Sequence, residues 1–417
     1  MERKDIGKAS LIFLFLSVFS FSKEIIVCKE CEINTITEAL KVADSGDTII
    51  VKNGIYREGT IIVNKSVKLI GENYPILDGE NKHEVVRITA KNVIFTGFKV
   101  INSGVSELED IAGIKVINTS GCVIKNNILR NNFWGIYLAK VKDCTVEGND
   151  IKGREGTSEV YTGNGIHLWY CRNIRIVNNK IRYHRDGIYF EFVKKSLIEG
   201  NLSEYNWRYG LHFMFSHEDI YINNIFRYNG AGVAVMYTKK VLMQGNRFEK
   251  NWGDSSYGLL LKAISDSKIV NNVFYKNTTG ILIDETQRTI IKHNDFIENG
   301  WALRIWANSM DNTITENNFL GNTFEVSTNS KLNPNKIFKN YWSSYRGYDL
   351  NGDGIGDIPH RPVKLFSYIV ENNPAASILL KSFFVELLNR IEEVFPVIIP
   401  TSLEDSKPLM RKITWKR

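Results

Sequence analysis

An asparagine that returns every 22 or 23 residues constrains this chain more than any other feature. It stands at Asn127, Asn149, Asn179, Asn201, Asn224, Asn246, Asn272, Asn294, Asn317 and Asn340, with two longer gaps, 30 before Asn179 and 26 before Asn272. Five residues later comes a second asparagine, at Asn132, Asn206, Asn229, Asn251, Asn277, Asn299 and Asn322, with His184 in its place once. A glycine and an apolar–x–apolar triplet follow, as in NVFYKNTTGILI, Asn272 to Ile283. A period near 22 admits few folds. Leucine-rich repeats share it but need a leucine framework that is missing here. Short β-branched segments broken by Asn and Gly predict an all-β chain wound as a right-handed parallel β-helix. Equivalent positions then stack about 4.8 Å apart, and asparagines at one corner can bond amide to amide along the coil.

An open coil end is an unpaired sheet edge and needs a cap. Ile36, Ala39, Leu40 and Ala43 have helical spacing, and SGD stops that helix before a strand at Thr48 to Val51. At the far end, Leu380, Phe384, Leu387, Ile391 and Val394 form an apolar helical stripe. That stripe closes the coil or docks on a partner, and the VFPVIIP that continues it favours docking. The N-terminus carries Arg3, Lys4 and Lys8, then an apolar run from Leu11 too short to span a bilayer, then Ser20 and Ser22. Cleavage after Ser22 fits a secretory signal peptide. The expected organisation is a leader over 1–22, a cap over 23–47, a β-helix over 48–345, an irregular segment over 346–375, and an amphipathic helix with tail over 376–417. Lys and Arg are scattered, and a net charge of +7 on 417 residues gives no reason to expect nucleic-acid binding.

Stacking lets the repeat be read sideways from the glycine. Ile136, Ile166, Ile188, Leu211, Val233, Leu259 and Ile281 stand one after it, and Leu138, Leu168, Phe190, Phe213, Val235, Leu261 and Ile283 three after it. Both rows are apolar and point inward, so the even positions point out. The second position reads Tyr137, His167, Tyr189, His212, Ala234, and the fourth Trp169, Glu191, Met214, Met236, Lys262. The fifth reads Tyr170, Phe192, Phe215, Tyr237. Aromatic, histidine and methionine side chains on an outer face mark a binding surface. Thioether with imidazole is a soft ligand set that favours Cu(I), and sparse carboxylate argues against calcium or magnesium there. His212, Met214, His217 and Met236 are the candidate copper ligands, and Tyr189, Arg208, Phe215 and Tyr237 the candidate partner contacts. A satellite core beneath a covering loop, or a protein-docking surface, remains the alternative.

At these residues the phrases GNGIHLWY, RDGIYFEF, RYGLHFMFSH, AGVAVMYTK and YGLLLK follow one another 22 to 26 residues apart. With GYDLNGDGIGDIPHRPVKLFS near the C-terminus, they resemble the NosD family, exported β-helical maturation factors for nitrous oxide reductase. The resemblance implies a pectin-lyase-like solenoid in the periplasm that is not itself an enzyme. It implies an ABC transporter as partner, with a membrane permease and a separate cytoplasmic ATPase, and indeed no GxxxxGK[ST] loop occurs here. It implies transient Cu(I) taken from a copper chaperone, and support for the copper–sulfide centre of the reductase. The rival class is the β-helical polysaccharide lyases and hydrolases. Those need clustered carboxylates, or calcium with an Arg or Lys base. This face offers only Asp186 and Glu191, with Arg185 and Arg208 nearby.

Three further motifs stand apart. Cys28 and Cys31, in CKEC, are read first as a local disulfide of an exported chain. Cys122 and Cys144 occupy one place in adjacent turns, within disulfide range or as reduced core residues, and Cys171 has no evident partner. Asp349, Asn351, Asp353 and Asp357 have the alternating oxygen spacing of a calcium loop, yet His360 stands where its last carboxylate belongs. The alternative is a carboxylate-capped turn.

Overall fold

The structure is a computed structural model that describes residues 22–106, 109–156, 162–330, 333–380, 382–394 and 403–415. The leader expected over 1–22 falls, up to Phe21, outside the described residues, as do residues 395–402. Each turn of the coil lays down three short strands. They stack into three parallel sheets of 14, 13 and 12 strands that form a right-handed solenoid. The first sheet runs from Glu24–Val27 to Lys336–Phe338. The second runs from Ile55–Tyr56 to Tyr341–Trp342, and the third from Ile61–Val63 to Phe324–Thr328. Glu24–Val27 pairs with Thr48–Val51, so the coil begins inside the stretch read from sequence as cap.

The asparagines do what their period predicts. The side-chain amide of Asn127 donates to Asn149 Oδ1 at 3.0 Å, Asn149 to Asn179 at 3.0 Å, and so on to Asn317, which donates to Asn340 at 3.0 Å. Each ladder asparagine also takes the preceding turn's backbone N–H, as Asn149 does from Asn127 at 3.0 Å. The residue before each rung turns the corner at positive φ: Asn126, Asn178, Asn223 and Asn271 at 53–57°, with Gly148, Gly200 and Gly245 between them, and then His293, Glu316 and Lys339 at 51–57°. That conformation favours the Asn and Gly that alternate before the first seven rungs. Inside, Phe226, Phe248, Phe274, Phe296, Phe319 and Trp342 stack ring on ring, at 4.0–5.7 Å between centroids.

The N-terminal opening is covered by helix α1, Ile36–Val42, whose Ile36, Ala39 and Leu40 enter the core. At the other end the structure departs from expectation. A helix α2, Leu365–Asn372, lies inside the segment expected to be irregular, and α3 spans Phe383–Val394. Neither closes the coil. Phe366, Val370 and Val385 pack with Phe324, while Glu371 pairs with Arg304 at 2.7 Å and accepts from Ser327 at 3.1 Å. Arg304 and Ser327 alternate with core residues, so the helices lie on the outer face of the third sheet. The face of α3 that packs inward carries Val385, Leu388 and Glu392, and Phe384 and Leu387 of the expected stripe point away, 52% and 46% exposed. The coil end is closed by the tail instead. Asp405 accepts from the backbone of Lys339 and Asn340 and from the Trp342 indole at 2.9–3.0 Å, and Leu403 joins the core.

Candidate functional site

The third sheet aligns the candidate residues as the repeat requires. Tyr137, His167, Tyr189, His212 and Ala234 are consecutive partners in register, and so are Trp169, Glu191, Met214, Met236 and Lys262. Both rows sit on the outer face, but the first is not exposed. Tyr137, His167, His212 and Ala234 retain 0–7% of their accessible surface. Neighbouring rings cover it, Tyr189 and Tyr209 against His212, together with residues from the two long gaps of the repeat. Residues 162–164 are buried and lead into the strand, bonded turn to turn with Phe133 and Arg185; Asn164 reaches His167 at 2.9 Å, and Trp134 stacks on His167 at 4.4 Å. Farther along, Tyr257 packs over Ala231, Ala234 and Leu260, with Tyr209 and Met236 at the edge. The two longer gaps were legible in the sequence, but not where those extra residues would fold.

Beneath this cover lies a network that the pattern of apolar positions could not show. Asp186, fully buried, accepts two hydrogen bonds from the Arg208 guanidinium at 3.2 and 3.0 Å. The Arg208 side chain itself keeps 36% of its surface, so the pair links the interior to solvent. His212 Nδ1 lies 3.3 Å from Arg208 and 3.7 Å from Asp186, while its Nε2 is buried with no hydrogen-bond partner. His167 is held by Asn164 at 2.9 Å; burial, then the Arg185 charge, drives its pKa down to about 3, so it is neutral. Arg185 Nε is also buried without a partner. Tyr189 Oη points at Met214 Sδ, 3.9 Å away. Burial, then the Glu191 and Asp186 charges, pushes the Tyr189 hydroxyl up to about 12, so it stays protonated.

Met214 and Met236 are direct register partners, both half-buried, two residues along the strand from His212 and Ala234 respectively. His217 is not brought to them. Phe215 turns the chain at φ 50°, and His217 stands two residues farther round that corner, bridged to Lys194 with Nδ1 3.5 Å from Thr238. Of the four expected ligands, His212, Met214 and Met236 share one face of the third sheet, and His217 lies at its corner. Of the expected partner contacts, Tyr189 and Arg208 belong to the covered network, whereas Phe215 and Tyr237 are exposed, 37% and 41%. Among the described residues no group of three or more His, Cys, Asp or Glu is placed to hold a metal, so a metal here would need the thioethers.

Cys28 and Cys31 form a disulfide. Cys122, Cys144 and Cys171 are free and buried, so adjacent turns did not bridge them. The acidic turn uses its oxygens on its own backbone. Asp349 accepts from Gly352 and Gly354 at 2.7 and 2.8 Å, Asn351 and Asp353 accept from nearby amides, and Asp357 accepts from Leu350 at 2.7 Å. That is the geometry of a carboxylate-capped turn.

Comparisons with known proteins give the solenoid a family. The family described as periplasmic copper-binding protein (NosD) matches residues 40–162 and 155–353. A probable ABC transporter binding protein NosD of Pseudomonas aeruginosa is 31% identical over 371 residues, covering 85% of this chain and 86% of that one. Its namesake in Stutzerimonas stutzeri is 30% identical over 379 residues, covering 86% of each. Among solved structures, the catalytic unit of an alpha-1,3-glucanase from Streptomyces thermodiastaticus superposes with a TM-score of 0.61 at 13% identity, over 74% of this chain and 65% of that one. The adhesin PfbA of Streptococcus pneumoniae does so with a TM-score of 0.54 at 12% identity, over 77% and 91%. Those two share the fold alone. The sequence match spans the turns that carry His212, Met214 and Met236, and on it this chain belongs to the NosD family of periplasmic copper-binding proteins.

Proposed function

We propose that this protein receives Cu(I) and hands it on for assembly of the copper–sulfide centre of nitrous oxide reductase. One observation carries the reading: Met214 stands in register with Met236, beside a His212 whose Nε2 has no other partner. Two thioethers and an imidazole form a soft site of low charge that selects Cu(I) over Zn(II). Ligation through Nε2 requires the Arg208 guanidinium, which donates to Nδ1 at 3.3 Å, to release that nitrogen so that the ring proton can move there. Both methionines are half-buried and face outward, so a partner's ligands can enter without unfolding the strand.

The copper arrives from a membrane copper chaperone, and the protein works in the periplasm at the membrane, held by the permease of an ABC transporter whose ATPase is cytoplasmic. Both relatives, known as probable ABC transporter binding proteins, support the transporter. No helix among the described residues is long and apolar enough to cross a membrane. Attachment through a partner then falls to exposed apolar surface, and α3 offers Phe383, 77% exposed, beside Phe384 and Leu387. The polysaccharide reading finds less support, because Asp186 is locked under the cover by Arg208 and has no catalytic carboxylate beside it.

The test is Met214→Leu with Met236→Leu, which keeps volume and removes both sulfurs, at a stability cost under about 1.5 kcal/mol per site. Competition against a chromogenic Cu(I) chelator should show affinity falling more than about tenfold. Reductase matured with the variant should lack its copper–sulfide centre. Unchanged affinity and active reductase would return this face to the satellite-core reading.

A further inference from the structure

Where the third sheet turns into the first, each turn of the coil makes the same short corner. Its first residue is held at positive φ: Asn118, Lys140, Tyr170, Phe192, Phe215, Tyr237, Ala263 and Glu285, all at 50–56°. Asparagine suits that conformation and bulky side chains do not. Aromatics nevertheless fill it on four consecutive turns, from Tyr170 to Tyr237, and these are the turns that carry His167, His212, Met214 and Met236. Their rings stack at 4.5, 5.3 and 5.1 Å along the coil. Tyr170, Phe215 and Tyr237 are 51%, 37% and 41% exposed.

Two residues farther round the corner runs a second row. Lys142, Arg172, Lys194 and His217 are bridged turn to turn, and Lys239 occupies the next place. The four cations are exposed, and among the described residues none of them pairs with a carboxylate. Lys194 and Lys239 also act on His217, whose pKa is lowered by burial first and then by these charges. Like charges on neighbouring rungs about 4.8 Å apart oppose folding. An anionic partner would relieve that repulsion.

We propose that the aromatic ladder and the cation row beside it dock an acidic segment of a partner protein. The stacked rings occupy one another's faces, so what they present outward is their edges, the positive side of the aromatic quadrupole. Edges suit carboxylates and apolar side chains; stacking on a sugar needs a free face. The surface borders Met214 and Met236 directly, through Phe215 and Tyr237. It therefore deepens the copper-transfer reading, on which its biological role rests, by naming the chemistry of the partner.

The test uses the full chain free of metal, so that it reads docking and not ligation. The probe is a short fluorescein-labelled peptide alternating Glu and Leu, followed by anisotropy. Saturable binding at low salt is expected, weakening as ionic strength rises. Arg172→Glu, Lys194→Glu and Lys239→Glu together should weaken it more than about tenfold. Phe215→Ser with Tyr237→Ser should weaken it with all charges intact. Should the charge reversal misfold by circular dichroism, Lys194→Gln with Lys239→Gln carries the same comparison. A peptide alternating Lys and Leu should not bind. No saturable binding, equal binding by every folded variant, or tighter binding to polyuronate or to anionic vesicles would overturn the proposal. Peptide binding that survives Met214→Leu with Met236→Leu keeps the docking surface even if the copper reading falls.

Discussion

Asp405 Oδ2 receives both the backbone N–H of Asn340, at 2.9 Å, and its side-chain amide, at 3.1 Å. The asparagine ladder that starts at Asn127 thus ends on a carboxylate supplied 65 residues later in the chain. Asp405 is fully buried and also takes the Trp342 indole N–H at 2.9 Å. Asp405→Ala leaves those donors unsatisfied, at about 1–3 kcal/mol each before relaxation. The expected result is a lower melting midpoint and faster amide exchange in the last turns, with the turns near Asn127 unchanged. Deleting residues 377–417 should do the same, so recruitment to the permease is better tested by changing Phe383 and Phe384 alone.

His184 interrupts the second asparagine ladder. It donates its backbone N–H to Asn206 Oδ1 at 3.1 Å, but its Nε2 is buried without a partner. Burial lowers its pKa to about 4, and burial with the Arg185 charge lowers that of His167 to about 3. Both lie below the unfolded value near 6.5, so the unfolded chain takes up protons first as pH falls. Stability should be full above about pH 6.5 and decline toward pH 4. His184→Asn should restore the ladder and shrink that decline by roughly 1–3 kcal/mol. Chemical denaturation at pH 7 and pH 4.5 compares the two proteins; equal pH dependence would refute the assignment.

Asp186→Asn addresses how His212 is held. The amide keeps the shape but loses the charge that anchors Arg208 beside Nδ1, so Cu(I) affinity should fall about 10–100-fold. Arg208 reaches solvent, which should limit the stability loss to about 1–2 kcal/mol. Copper titration beside a thermal melt separates the two effects. Undiminished affinity would mean that the ring binds without help from the carboxylate.

The polysaccharide class makes an opposite forecast. A lyase or hydrolase built on Asp186 and Glu191 would release oligosaccharides from uronic-acid polymers and lose that activity in Asp186→Asn with Glu191→Gln. No release is expected from the unmodified protein, measured by absorbance for unsaturated ends and by reducing sugar.

The sequence by itself determined the coil. Stacked turns interact with nearest neighbours, so a period near 22 carries the register, the ladder, the inward rows and the pairing of Met214 with Met236. The helix at Ile36–Val42 was legible for the same reason, since its capping and spacing are local. The tertiary structure decided what no period encodes. Asn164, from one long gap, reaches His167, and Tyr257, from the other, packs on Ala234 and beside Tyr209, helping to turn an outer face into a covered one. A single left-handed residue, Phe215, turns the chain so that His217 lies round the corner from the strand that carries Met214. Helices α2 and α3 lie on the side of the coil while Asp405 closes its end. Each depends on contacts between segments far apart in the chain, where shape and buried polar partners choose among placements that hydrophobic pattern leaves equivalent.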